Sequence, residues 1–120
     1  MAKTILVVDD DKGQVSLMES YLCGKGYTIV AAHDGMEAVD LARSAKPQLI
    51  LMDVQMPRMD GDEAAMVLKE DAGTKNIPVI FCTALRTDEE IAETREDNIF
   101  AKPIHLDQLL AKIRSLIGEP

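Results

Sequence analysis

Four apolar runs along this chain each stop at a polar side chain with useful chemistry. Ile5-Leu6-Val7-Val8 leads into Asp9-Asp10, Leu49-Ile50-Leu51-Met52 into Asp53, Val79-Ile80-Phe81-Cys82 into Thr83, and Ile99-Phe100-Ala101 into Lys102-Pro103. Short runs that are apolar at every position predict strands covered on both faces, as in a parallel sheet between helices. Between these runs the pattern changes to helical spacing. A first helix is predicted over Lys12 to Cys23, with Val15, Met18 and Leu22 on its inner face and Gly24 and Gly26 behind it. A further strand is predicted at Tyr27 to Ala32. Asp34 then caps a helix carrying Ala38, Val39, Leu41 and Ala42, which Pro47 stops. Asp62 to Asp71 forms the next helix, ended by Gly73, and Thr87-Asp88-Glu89-Glu90 has the form of a capping box that would open another. The last helix carries a single stripe, Leu106, Leu109, Leu110, Ile113, Leu116 and Ile117, closed by Gly118. Strict alternation of this kind predicts an α/β fold, a doubly wound parallel sheet of five strands with five helices.

In an open parallel sheet the ligand crevice lies outside the carboxyl ends of the strands, so the four endings should converge. The crevice would then hold the carboxylates of Asp9, Asp10 and Asp53, the Thr83 hydroxyl and the Lys102 ammonium. Three carboxylates brought close together repel, unless a cation sits among them or protons are taken up. Hard oxygen ligands suit magnesium, which shares a phosphoryl oxygen readily. Asp53, alone at its strand end, is the candidate nucleophile, because a carboxylate can attack phosphorus to form an acyl phosphate. Asp9 and Asp10 are adjacent and suited to metal capture, while Thr83 and Lys102 would hold the phosphoryl oxygens. The Lys102-Pro103 peptide is a candidate for the cis form. Asp11 and Asp60 are assigned to loop or capping roles.

The 120 residues, 13.2 kDa in all, fit one module spanning residues 1–120, and 47% hydrophobic with 28% charged residues describes a globular chain. A formal net charge of −8 argues against direct nucleic-acid binding and turns attention to protein partners. No apolar run is long enough to span a bilayer, and Met1-Ala2-Lys3-Thr4 enters the first strand without a signal-peptide pattern, so the cytoplasm is the expected location. Cys23 and Cys82 are expected to be reduced and to serve as small packing residues, and the seven methionines likewise. His33 and His105 sit in polar turn contexts and are expected to be exposed.

At these residues the chain resembles the receiver domain of bacterial two-component response regulators, in particular the single-domain kind similar to the chemotaxis regulator. The resemblance covers Ala2 to Gly118. It is carried by Val7-Val8-Asp9-Asp10-Asp11, by Leu51-Met52-Asp53-Val54-Gln55-Met56-Pro57-Arg58-Met59-Asp60-Gly61, by Thr83-Ala84 and by Lys102-Pro103. It implies a flavodoxin-like sheet of order 2-1-3-4-5. It also implies that Asp53 accepts phosphate from the phosphohistidine of a sensor histidine kinase or phosphotransfer protein. Magnesium would be bound by Asp10, Asp53 and the backbone carbonyl of Gln55, with Asp9 acting largely through water. Thr83 and Lys102 would hold the phosphoryl group, and the output would be contact with a downstream protein rather than enzymatic turnover.

Two features depart from the family pattern. Ile99 stands where the family usually places an aromatic residue whose rotamer reports phosphorylation, with Phe100 one place later. The 18 residues between Thr83 and Lys102 (102 − 83 − 1) are also fewer than usual. The switch is therefore expected in the segment from Arg86 to Asn98, whose apolar face is small. Gln55 and Leu85, two places beyond the acceptor and the threonine, occupy positions that tune access of water in this family, and aliphatic Leu85 implies slow loss of phosphate. Two other readings compete. A magnesium-dependent phosphohydrolase of the haloacid dehalogenase group would show Asp-x-Asp, whereas Asp53 is followed by Val54-Gln55. A pseudo-receiver that docks without phosphorylation would be expected to lose a site residue, and none is lost.

Overall fold

The computed structural model describes residues 3–56, 59–84 and 98–120. Five strands, β1 (Thr4–Val8), β2 (Thr28–Ala32), β3 (Leu49–Asp53), β4 (Val79–Thr83) and β5 (Ile99–Ala101), form one sheet. Its order is β2-β1-β3-β4-β5 and every neighbouring pair is parallel. Among the described residues there are four helices: α1 (Lys12–Gly24), α2 (Gly35–Ala45), α3 (Gly61–Glu70) and α4 (Leu106–Ile117). The helix expected from Thr87 lies outside the described residues, as do Leu85 and all of the expected switch segment except Asn98.

Side chains of a strand alternate between faces, and the two faces carry separate cores. On one, Ile5, Val7, Leu49, Leu51 and Ile80 pack against Val15, Met18 and Leu22 of α1 and Leu109, Leu110 and Ile113 of α4. On the other, Leu6, Val8, Ile50 and Met52 meet Ala38, Val39 and Ala42 of α2 and Ala64 and Leu68 of α3. This is why the strands read as apolar throughout: Ile5, Leu6, Leu49 and Ile50 are all fully buried.

The helix starts follow local chemistry. Asp11 accepts from the Gly13 and Gln14 amides, Asp34 from Glu37 and Asp60 from Glu63, so each satisfies an amide that lacks an intrahelical acceptor. That is the capping role expected of Asp11 and Asp60. After α2, Lys46 takes up a left-handed conformation and Pro47 follows. Packing corrects the sequence reading in several places. The second strand begins at Thr28, with Tyr27 buried just before it and its hydroxyl donating to the Gly118 carbonyl. Cys23 is exposed, and so are Met36 and Met66, because they fall on the outer faces of their helices.

Candidate functional site

Parallel pairing brings the strand ends to a common edge. Val8 pairs with Met52, Asp53 with Cys82, and Thr83 with Ala101, so Asp9, Asp53, Thr83 and Lys102 emerge side by side. Asp9, Asp10 and Asp53 each offer an oxygen such that all three lie within 4.8 Å of one another. Asp9, Asp53 and Thr83 are buried, whereas Asp10 opens to solvent. Lys102 crosses from the last strand end, its ammonium 2.8 Å from Asp9 Oδ2 and 3.3 Å from Asp53 Oδ1. Its backbone amide donates to the Thr83 carbonyl at 2.8 Å, which ties the two strand ends together. The Lys102-Pro103 peptide is cis.

Gly61 brings the start of α3 against this edge. Its amide donates to the Val54 carbonyl, and a Cβ there would lie 2.3 Å from the Asp53 carbonyl oxygen, so only glycine permits the approach. Gln55 is exposed in the loop two residues beyond Asp53.

The electrostatics follow from this packing. Burial pushes the Asp53 carboxyl up and the neighbouring Asp9 charge adds to it, with Lys102 opposing both. For Lys102 burial acts to lower the ammonium, but the hydrogen bond and charge of Asp9 and the charge of Asp53 outweigh it and raise it. Three carboxylates against one ammonium leave a negative excess, and the donors are all hard oxygens. That donor set fits a small divalent cation such as magnesium. Cys82, on β4 beside Asp53, is buried and its thiol is pushed up to about 12, chiefly by burial, so it is a packing residue as expected.

Sequence reasoning passed over His33. The ring is half-buried, not exposed, and its Nδ1 lies 3.3 Å from the Asp9 carbonyl oxygen. The usable signal was strand order: β2 lies beside β1, so the residue after Ala32 must fall next to Asp9. His105 is exposed, as expected.

The model of the response regulator receiver domain matches residues 5–114. The chain belongs to this family. It is 35% identical over 122 residues to the polar-differentiation response regulator DivK of Brucella anthropi, with 99% of each chain covered. Its fold is similar to the receiver domain of the sensor histidine kinase PA1611 of Pseudomonas aeruginosa PAO1, a structure with a magnesium ion coordinated in the active site cleft. That match has 28% identity and a TM-score of 0.84, and covers 99% of this chain and 100% of the other. It is also similar to a chain of the CheX-CheY-BeF3-Mg complex of Borrelia burgdorferi, at 25% identity and a TM-score of 0.80, covering 94% of this chain and 87% of that one. The protein is thus a receiver domain of two-component signalling, with the sheet order that the sequence resemblance implied. No described helix is long and apolar enough to cross a membrane.

Proposed function

We propose that the chain, as one receiver domain over residues 1–120, takes a phosphoryl group onto Asp53 from the phosphohistidine of a sensor histidine kinase or phosphotransfer protein. It then signals by contact with a downstream protein. The observation that carries this reading is the buried Asp53 carboxylate grouped with Asp9 and Asp10 and bridged to Asp9 by a single ammonium. In the transfer, an Asp53 oxygen bonds to phosphorus while the bond from phosphorus to the imidazole nitrogen breaks. The electron pair leaves with the nitrogen, which takes a proton. Asp9, Asp10, Asp53 and the backbone carbonyl of Gln55 would hold Mg2+, which when bound neutralises charge on the phosphoryl oxygens. Lys102 exchanges its contact with Asp53 for the dianionic phosphoryl group, and the Thr83 hydroxyl donates to a second oxygen. The magnesium in the PA1611 cleft supports the choice of ion. Each round ends with hydrolysis back to the carboxylate, so the chain behaves as a switch rather than a turnover enzyme.

The test is incubation with acetyl phosphate followed by intact-mass analysis. One added phosphoryl group is expected with Mg2+, and none with EDTA or in Asp53→Ala. Equal uptake in EDTA would refute the metal role, and undiminished uptake in Asp53→Ala would refute the acceptor. Failure of the wild type to be phosphorylated by any donor would favour a docking module.

A further inference from the structure

We propose that His33 is a positioning residue for the acidic site, its imidazole fixing the peptide between Asp9 and Asp10 and with it the direction in which Asp10 presents its carboxylate. The proposal rests on the metal reading given above. Strand pairing of Val8 with Ala32 sets the stage, since the next residues, Asp9 and His33, then leave the sheet side by side. The Asp9 amide donates to the Ala32 carbonyl at 3.1 Å. The Asp9 carbonyl, in turn, faces His33 Nδ1 at 3.3 Å. A carbonyl oxygen can only accept, so the contact is a hydrogen bond only when Nδ1 carries the proton.

The backbone that carries the ring is itself anchored. The His33 amide donates to Glu37 Oε1 at 2.6 Å, and the Glu37 amide donates to Asp34 Oδ1 at 2.8 Å, which locks His33 to the first turn of α2. Asp9 needs no help in placing its side chain. Its Oδ1 accepts from the Asp11 amide at 2.9 Å and its Oδ2 from Lys102 at 2.8 Å. Asp10 differs: it is exposed, and among the described residues no hydrogen bond holds its carboxylate. Its direction is therefore set through its backbone, and the Asp9 carbonyl belongs to the very peptide whose nitrogen is that of Asp10. Partners that orient metal ligands in this indirect way are typically worth about 10- to 100-fold in metal affinity.

His33→Asn and His33→Leu separate this role from packing. The Asn Nδ2 occupies nearly the place of the imidazole Nδ1 and can donate, whereas Leu keeps bulk and donates nothing. Calorimetric titration with Mg2+ should show affinity reduced about 10-fold in His33→Leu and within about twofold of wild type in His33→Asn. Nitrogen NMR of the metal-free wild type should find the His33 proton on Nδ1, a reading that needs no variant to fold. Wild-type affinity in His33→Leu, equal weakening in both variants, or a neutral ring protonated at Nε2 would each overturn the proposal. A wild type that binds no Mg2+ would instead overturn the metal reading, and the role of His33 toward it.

Discussion

Lys102 is the single cation that the described structure sets against Asp9 and Asp53, and replacing it with methionine removes that charge while keeping most of the volume. At an effective dielectric constant of about 20, ion pairs at these separations are worth roughly 5 to 6 kcal/mol each before desolvation. The cost of drawing the ammonium and both carboxylates out of water cancels much of this. Exposed pairs are worth up to about 1 kcal/mol, and breaking a fully buried pair costs about 3 to 5 kcal/mol. With the Lys102 side chain 18% exposed, the site lies between these limits. The expected loss is about 2 to 3 kcal/mol without metal, or roughly 10 °C in Tm for a domain of this size. A bound divalent cation supplies the missing positive charge, so the gap should shrink below about 1 kcal/mol in saturating Mg2+.

The pH dependence has a definite sign. On the alkaline side the raised Lys102 ammonium stays charged up to its ordinary value, and its stabilising contribution is lost as pH climbs through the folded value above that. On the acid side the share that Lys102 draws from Asp53 fades as that carboxyl protonates. For Asp53, held above the ordinary carboxylate range, fading begins before that range is reached. Thermal melts followed by circular dichroism, in EDTA and in Mg2+ from neutral to acid pH, measure all three effects. A Tm gap that is the same in EDTA and in Mg2+, or that is undiminished at pH values where Asp53 is protonated, would refute the reasoning.

Two further outcomes follow from packing. Gly61→Ala drives a Cβ to within 2.3 Å of the Asp53 carbonyl oxygen, which is backbone and cannot swing aside. It should cost about 2 to 3 kcal/mol in urea denaturation, and an unchanged midpoint would show that the α3 start moves freely. A thiol reagent at pH 8 should modify one cysteine of the native protein, exposed Cys23, and reach Cys82 only after denaturation, because burial holds that thiol near 12. Rapid labelling of Cys82 in native buffer would contradict its placement.

The run-by-run apolar pattern was enough to determine five strands and the identity of the residues at their ends, because strands buried on both faces admit no polar position until they leave the sheet. The caps were equally legible, since Asp11, Asp34 and Asp60 act on amides two or three residues away and need no distant partner. Membership of the receiver family could be read from Asp9-Asp10, Asp53, Thr83 and Lys102 together, and from none of them singly. Tertiary structure decided which neighbours those residues have. Lys102 could have faced solvent, and it bridges Asp9 and Asp53 because β5 lies beside β4 and its backbone amide is tied to Thr83. Composition likewise treated Cys23, Met36 and Met66 as core, although each lies on an outward helix face that nothing covers among the described residues. His33 shows the same limit most plainly. It is 24 residues from Asp9 along the chain, and only the adjacency of β1 and β2 brings its ring to the Asp9 carbonyl. Hydrophobic periodicity is local and records which face of an element is buried; the partner met at that face is a non-local choice, made when the sheet assembles.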